Sequence, residues 1–148
     1  MPQIHRATSD HDIQRCWPVV QQLRPHLTAD ALLAAVRRME PHGYCLVYIE
    51  DERQTVRAVA GYRITEMLRT GPLLVVDDLV TDADARSKGH GRMLMEWLLA
   101  EARAAGCTML ELDSGVQRHQ AHRFYFREGM HILAYHLSMS CAPATTQP

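Results

Sequence analysis

The sequence has no continuous apolar run of about 18 residues, the minimum expected for a helix that crosses a membrane. Its N-terminal stretch, MPQIHRATSDHDIQRC, also lacks the apolar segment of a secretory signal. We therefore expect a cytoplasmic protein that is neither exported nor membrane-spanning and that has no membrane partner.

Cysteine and excess positive charge are also scarce. The four cysteines, Cys16, Cys45, Cys107 and Cys141, are scattered and include no CxxC pair, which disfavours a zinc site or a thioredoxin-like motif. Lys and Arg total 16 against 17 Asp and Glu, so the formal net charge is -1. Because nucleic-acid-binding domains usually have a basic surplus, we expect no nucleic-acid partner. A phosphate-bearing ligand would need a local group of cations.

What the sequence does contain is typical of a globular protein: 148 residues, 47% of them hydrophobic and 22% charged. A chain of this length is expected to form one domain with a substantial buried core. We predict a single domain over residues 1–140 and a disordered tail over residues 141–148.

Apolar periodicity, with Gly and Pro as breaks, predicts a strand, two helices, three strands, a helix, a strand, a helix and a last strand. Candidate N-caps precede both early helices, in the stretch TSD and at Thr28. The later elements are predicted as strands at 44–50, 56–64 and 73–81, a helix at 89–104, a strand at 108–115, a helix at 118–129 and a strand at 131–139. This order indicates an α/β fold with a mixed sheet.

A short charged loop, residues 86–92 with the sequence RSKGHGR, joins the strand at 73–81 to the following helix. A helix N-terminus has unpaired N–H groups and a partial positive charge, and glycines let a ligand approach the backbone. Three cationic side chains add to this, so loop 86–92 predicts a phosphate or pyrophosphate site. A dinucleotide-binding G-x-G-x-x-G is excluded because Leu94 stands at the third glycine. A Walker loop is excluded because Lys88 precedes its glycine.

The remaining pattern, Arg-x-x-Gly-x-Gly, resembles the coenzyme A pyrophosphate loop of the GNAT superfamily of acetyl-CoA-dependent N-acetyltransferases. Before it, DDLVTDADAR resembles the family's Leu-x-Val-x-Pro-x-x-Arg, with Thr81 and Ala83 in place of Val and Pro. After it, AHRFYFREGM resembles Ala-x-x-Phe-Tyr-x-x-x-Gly-Phe, with Met130 in place of the final Phe. The resemblance spans residues 75–136.

The resemblance implies a GNAT-like fold, with a central mixed sheet of six to seven strands flanked by about four helices. The sheet would splay between the DDLVT and LELDS strands, where the pantetheine arm of the coenzyme enters. Acetyl-CoA is the implied co-substrate, without a metal. The acceptor would be a small-molecule amine, a lysine or an N-terminal amine, and a homodimer is an option because dimers are common in the family.

The same resemblance gives roles to the coenzyme-binding residues. Backbone groups of the strand segment Leu79, Val80 and Thr81 would pair with pantetheine, and the Leu79 N–H would donate to the thioester oxygen. Backbone amides around the pyrophosphate would come from Ser87, Lys88, Gly89, His90, Gly91 and Arg92. The side chains of Arg86 and Lys88 would assist. His90 is expected to be exposed.

Tyr125 stands where the family places a tyrosine whose hydroxyl meets the departing thiolate. On helical spacing alone it would instead be a core tyrosine. Arg118 either contacts the coenzyme or is a solvated residue at a helix start. His119 and His122 are three residues apart on one helix, but no third ligand is suggested nearby, so we expect no metal site.

The group that accepts the amine proton is open. Val75 stands where histone-type members have their glutamate. Asp77 lies two residues further along the strand and hence on the same face, whereas Asp78 is expected to point the other way. The candidates are Asp77, Asp78, Glu111, Asp113 and a water chain.

The sequence therefore predicts an enzyme that transfers acetyl from acetyl-CoA to a primary amine by direct attack. No cysteine resembles an activated nucleophile. The alternatives are a non-catalytic acyl-CoA-binding or regulatory module and an unrelated phosphate-binding α/β domain.

Overall fold

The computed structural model of the protein describes residues 2–144. These residues form two compact units, one ending at Leu112 and the other beginning at Asp113. The predicted tail lies partly outside the described residues, and its residues 141–144 belong to no helix or strand. One domain over residues 1–140 stays a prediction. No helix within residues 2–144 is both long and apolar enough to cross a membrane.

Five strands of the described chain form one sheet in the order β1-β2-β3-β4-β5. Strands β1 to β4 pair antiparallel with their neighbours, whereas β4 and β5 are parallel. The strands are β1 (Gln3–Arg6), β2 (Tyr44–Glu50), β3 (Val56–Met67), β4 (Gly71–Thr81) and β5 (Met109–Leu112). The helices are α1 (Asp10–Leu23), α2 (Ala29–Met39), α3 (His90–Ala104) and α4 (His119–Arg127). Helix α3 supplies the crossover that the parallel pair requires.

Both early helices begin at their predicted caps. The Ser9 hydroxyl accepts a hydrogen bond from the Asp12 N–H at 3.1 Å, and the Asp12 carboxylate accepts one from the Ser9 N–H at 3.3 Å. The Thr28 hydroxyl accepts from the Ala31 N–H at 3.1 Å. Each cap stabilises its helix by about 1 kcal/mol, so the TSD and Thr28 signals are confirmed.

Helices α1 and α2 cover one face of the sheet. The buried cluster between these helices and the sheet includes Ile13, Cys16, Val20, Leu32, Val36, Tyr44, Leu46, Tyr48 and Val59. Tyr44, Leu46 and Tyr48 alternate along β2, so the residues between them face the opposite side. On that side the ring of Trp97 in α3 meets the Tyr62 ring at 5.9 Å. The sheet is therefore covered by α1 and α2 on one face and by α3 on the other.

Strand β4 is irregular where its pairing with β5 ends. The parallel ladder joins Leu73–Val76 to Met109–Leu112 and goes no further, although β4 continues to Thr81. On the other side, Tyr62 pairs with Val76 and Gly61 pairs with Asp78, so Asp77 is an extra residue in β4. This β-bulge sits at the first β4 residue beyond the β5 ladder.

The prediction of six to seven strands is not confirmed, because the described residues form five. The predicted last strand, residues 131–139, forms no ladder in the structure. Its large apolar side chains Ile132, Leu133, Tyr135, Leu137 and Met139 are all more than half exposed. The alternating pattern is a local preference, whereas a strand exists only through hydrogen bonds to a neighbour.

Candidate active site

Loop 86–92 turns sharply into helix α3. Ser87 and Gly89 both have left-handed backbone conformations, with φ of 64° and 83°. Gly89 is the N-cap of α3 and offers no capping side chain. The first N–H groups of the helix are therefore left for water or a ligand, at the end where the helix dipole is positive.

Two of the three predicted loop cations have no carboxylate partner. Arg86 and Lys88 are exposed, and within residues 2–144 neither forms an ion pair. Arg92 instead pairs with Glu96 at 2.9 Å on the exposed surface of α3. The loop thus brings together two solvent-facing cations, two left-handed residues and an uncapped helix end, which is a suitable arrangement for a phosphate group.

His90 contradicts the prediction of exposure. Only 6% of it is accessible, and its Nδ1 atom is buried without a hydrogen-bond partner in the described chain. The reason is that α3 begins at His90, so this side chain belongs to the first helical turn and not to the open loop. Its backbone N–H remains one of the uncapped donors.

The turn before the loop is held by residues that the sequence reading missed. Gln22, in the last turn of α1, donates to Asp82 Oδ1 at 3.1 Å and accepts from the Ala83 N–H at 2.9 Å. Arg57 donates to Asp82 Oδ2 at 2.9 Å. Burial alone would raise the pKa of Asp82, but the hydrogen bonds from Gln22 and Arg57 hold it below its usual value. The sequence did offer one signal for this turn. An aspartate often accepts from the backbone N–H two residues later, and Asp82 accepts from the Asp84 N–H at 3.3 Å.

The strand segment predicted to meet pantetheine lies beyond the β5 ladder. Leu79, Val80 and Thr81 pair with β3 on one side, and in the described residues they have no β5 partner on the other. The Val80 side chain packs against the α1 and α2 core. One edge of this segment is therefore available for backbone pairing with a ligand.

Asp78 lies in the bulged region of β4 and is held from two sides. Its Oδ1 accepts from Arg24 Nε at 2.9 Å, and its Oδ2 accepts from the Tyr44 hydroxyl at 2.8 Å. Burial and the adjacent Asp78 raise the pKa of Tyr44, so its hydroxyl stays a donor. The Tyr44 ring passes over Gly61, where a Cβ would lie 1.8 Å from the tyrosine oxygen. Only glycine fits at this position.

Asp77 is paired with a different arginine. Arg63 donates to its two carboxylate oxygens at 2.8 and 2.7 Å. The Asp77 carbonyl also accepts from Arg24 Nη2 at 3.1 Å. We call Arg24, Arg63, Asp77 and Asp78 the ion-pair quartet.

The prediction that Asp77 and Asp78 point to opposite faces is wrong. Arg63, which binds Asp77, stands opposite Tyr44 in the β2–β3 ladder, and the Tyr44 hydroxyl binds Asp78, so both carboxylates lie on the face that carries Tyr44. Since Tyr44 belongs to the core under α1 and α2, the quartet lies on that face of the sheet. The bulge at Asp77 breaks the alternation on which the prediction depended.

The other two candidate bases are also paired. Glu111 in β5 accepts from Arg69 Nη2 at 3.0 and 2.9 Å. Asp113, in the second unit, lies 3.0 Å from His136 Nδ1, and both side chains are mostly exposed. None of the four candidate acids is therefore a lone carboxylate in the described structure.

Helix α4, in the second unit, carries Tyr125 as its buried residue. Burial raises the pKa of Tyr125, and the nearby Arg118 guanidinium opposes this shift. The phenol is therefore protonated at neutral pH and able to donate. Arg118 is the N-cap residue of α4, and its guanidinium, which has no acceptor atom, makes no cap bond.

The sequence predicted neither a metal site at His119 and His122 nor an activated cysteine nucleophile. The rings of His119 and His122 are 6.2 Å apart, and His122 Nε2 is 2.9 Å from the Gly115 carbonyl. Residues 2–144 contain no group of three His, Cys, Asp or Glu side chains placed to hold a metal ion. Cys16 is fully buried in the core, which raises its pKa to about 12, so it is not an activated nucleophile.

Comparison with known proteins agrees with this arrangement. Residues 10–130 match the sequence model of the Acetyltransferase (GNAT) family. The chain is 32% identical over 125 residues to the uncharacterized N-acetyltransferase YhdJ of Bacillus subtilis (strain 168), covering 84% of this chain and 88% of that protein. A shorter match, 41% over 54 residues, is to an aminoalkylphosphonate N-acetyltransferase of Salmonella typhimurium and covers 36% of this chain and 35% of that protein.

Solved structures show the same fold. The aminoglycoside N-acetyltransferase AAC(6')-Iy, solved in complex with CoA, superposes with a TM-score of 0.84 over 95% of this chain and 94% of that chain, at 12% identity. The match of the family model over most of the chain and the 32% identity to YhdJ agree with this likeness of fold. The chain is thus a member of the GNAT acetyltransferase family.

Proposed function

We propose that the protein transfers an acetyl group from acetyl-CoA to a primary amine by direct attack in a ternary complex. The observation that carries this proposal is loop 86–92, where two cations without carboxylate partners adjoin the uncapped end of α3. A phosphate-rich coenzyme complements that combination of backbone N–H groups and positive charge. Membership of the acetyltransferase family supports acetyl-CoA as that coenzyme.

The rest of the coenzyme would follow β4. The pyrophosphate would bind the backbone N–H groups of loop 86–92, with Arg86 and Lys88 beside it. The pantetheine amides would pair with Leu79, Val80 and Thr81, whose edge has no β5 partner in the described residues. Such pairing adds an extended ligand to a strand in the way peptides add to sheet edges.

The chemical step needs three groups. The amine nitrogen attacks the thioester carbonyl, a C–N bond forms and the C–S bond breaks. The Leu79 N–H would stabilise the developing oxyanion, and Tyr125 would give its proton to the departing thiolate. The amine proton would pass to Asp77 or to a water that Asp77 holds. Arg118 would stand beside Tyr125 and the coenzyme.

The acceptor would be a small-molecule amine. Two of the similar proteins carry the names of aminoalkylphosphonate and aminoglycoside acetyltransferases, and both names denote small amines. A lysine or N-terminal amine of a protein is the other option within the same chemistry.

Coenzyme binding is tested by calorimetry on Gly89→Val. A valine at φ of 83° is strained, so the loop must change shape and affinity for acetyl-CoA should fall about tenfold or more. Gly106→Val, at φ of 75° beyond the other end of α3, is the matched control and should bind like the wild type. Equal affinities for both variants and the wild type would contradict the proposed loop.

Turnover is tested on Tyr125→Phe, with Tyr135→Phe as control. Tyr125→Phe should lower kcat by about a hundredfold while leaving coenzyme affinity intact, because the hydroxyl acts mainly when charge develops on sulfur. Tyr135 is 90% exposed, so its variant should be unaffected. Asp77→Asn should lower kcat without changing acetyl-CoA affinity, because the proposed acceptor of the amine proton is lost. Tight acetyl-CoA binding without turnover on any amine would favour the non-catalytic binding module.

A further inference from the structure

The ion-pair quartet carries no net charge, although it contains four ionic groups. Two guanidiniums and two carboxylates face one side of β4, at the first two residues beyond the β5 ladder. Loop 86–92 differs, because Arg86 and Lys88 form no ion pair in residues 2–144. A ligand at the quartet therefore meets both signs of charge at close range.

Both arginines of the quartet keep donors to spare. Arg24 uses Nε and Nη2, and Arg63 uses Nε and Nη2 as well. Among the described residues, the Nη1 atom of each forms no hydrogen bond. The two side chains are 42% and 46% exposed, so these donors are within reach of a ligand in solvent.

The quartet is held in place by contacts within the protein. Tyr44 and Gly61 fix the Asp78 carboxylate, and Arg24 extends from the C-terminal end of α1 to bind both the Asp78 side chain and the Asp77 carbonyl. A recognition site with its charges already in place loses little conformational entropy on binding.

The balance of charge decides which acceptors fit. A second cationic group on the acceptor would lie near two guanidiniums, while both carboxylates are already compensated. An anionic group would instead accept from the spare guanidinium donors, while the amine of the same molecule faces the carboxylates. Guanidinium forks suit carboxylate and phosphonate oxygens.

We infer that the acceptor is a small amine that also carries an anionic group, and that Arg24 and Arg63 select it by binding that group. This inference rests on the proposed acetyl transfer. It assigns specificity to two arginines that lie outside loop 86–92 and outside the groups proposed for the chemical step.

The test compares four acceptors whose amine is attached to a three-carbon alkyl chain, which ends in a phosphonate, a carboxylate, hydrogen or a second amine: 3-aminopropylphosphonate, 4-aminobutanoate, propylamine and 1,3-diaminopropane. Acetyl-CoA-dependent thiol release gives kcat/KM for each. We expect at least one anionic acceptor to exceed propylamine by about tenfold or more, with diaminopropane lowest. The order of the two anionic acceptors tells whether the phosphonate or the carboxylate is preferred.

The variants are Arg63→Gln and Arg24→Lys, with Arg69→Gln as the matched control. Arg69 also pairs with a carboxylate, that of Glu111, but lies outside the quartet. Arg63→Gln and Arg24→Lys should reduce the ratio of kcat/KM between anionic and neutral acceptors toward one, whereas Arg69→Gln should keep the wild-type ratio. A purely structural role would lower both values together and leave the ratio unchanged.

The outcomes separate this inference from the proposed function. The inference would be overturned if propylamine or diaminopropane had a kcat/KM equal to that of the anionic acceptors. It would also be overturned if both quartet variants kept the wild-type ratio of kcat/KM, or if a protein that binds acetyl-CoA acetylated none of the four acceptors. Failure of the wild type to bind acetyl-CoA in the calorimeter would overturn the proposed function itself.

Discussion

Loop 86–92 and the ion-pair quartet both concentrate charge, but they treat it in opposite ways. In the loop, Arg86 and Lys88 have no carboxylate partners within the described residues, and the helix that follows is uncapped. In the quartet, each arginine has an aspartate and each aspartate has an arginine. The loop therefore gains charge compensation only from a ligand, whereas the quartet has it already.

This difference separates two functions of charge in one site. Uncompensated cations attract a highly charged ligand from solution, and the attraction weakens as salt screens it. Compensated charges attract less over distance, but they define geometry at contact. Replacements in the loop should change binding with little change in stability, and replacements around the quartet should change stability first.

Gly61→Ala should have the largest effect, because it displaces the Tyr44 ring that holds Asp78 of the quartet. The added methyl would lie 1.8 Å from the Tyr44 oxygen, so the ring must move off Asp78. We expect a loss of about 3 kcal/mol in the free energy of unfolding, measured by denaturant titration. Acetyl-CoA affinity of the folded variant should be nearly unchanged. An unfolding midpoint equal to the wild type would show that the Tyr44 ring is not fixed over Gly61.

Tyr44→Phe should come next. The Asp78 Oδ2 atom loses its 2.8 Å donor while the ring stays in the core, and we expect a loss of about 2 kcal/mol, measured by thermal unfolding. The double variant with Gly61→Ala should lose less unfolding free energy than the sum of the two single losses, because both changes act on the contact between Tyr44 and Asp78. Strict additivity would show that the two positions are independent.

Replacing both loop cations, Arg86→Gln with Lys88→Gln, should give the third effect. We expect about a tenfold rise in the Kd for acetyl-CoA at low salt, shrinking as salt is added, and a change in unfolding free energy within about 0.5 kcal/mol. Arg103→Gln, a cation in the last turn of α3, is the control and should bind normally. A salt-independent loss of affinity would point to a change of loop shape instead of charge.

Arg92→Gln should have the smallest effect. Its ion pair with Glu96 is exposed at both ends and spans one helical turn, so we expect about 0.3 kcal/mol of stability, measured by thermal unfolding. A loss of coenzyme affinity as large as that of the double loop variant would show instead that the Arg92 charge contributes to coenzyme binding.

Local signals in the sequence predicted much of the fold. The caps at Ser9 and Thr28 and the apolar run of residues 44–50 each depend on neighbouring residues, and the structure has the two helices and the strand β2 where they were expected. Loop 86–92 was predicted in the same way, from two glycines and three cations between a strand and a helix, and the structure places Gly89 at a positive φ just before α3. The family match then confirmed the resemblance that these segments carry.

Features that depend on long-range pairing were missed. The bulge at Asp77 arises from the register with β3. It places Asp78 on the same face of the sheet as Asp77, whereas strict alternation predicts the opposite face. Arg24, Arg63 and Tyr44 are far from the aspartates in sequence, so no spacing rule could join them. The apolar alternation in residues 131–139 was real, but alternation does not supply a partner strand.

The burial of Cys16 makes this thiol a built-in reporter of folding. A thiolate is the reactive form, and the core denies it to Cys16, whereas Cys141 is exposed. A thiol-alkylating reagent should therefore label Cys141 first, the partly accessible Cys45 and Cys107 next, and Cys16 only when α1 separates from the sheet. The rate at which Cys16 is labelled would follow the opening of the helix that carries Gln22 and adjoins Arg24, without an engineered cysteine.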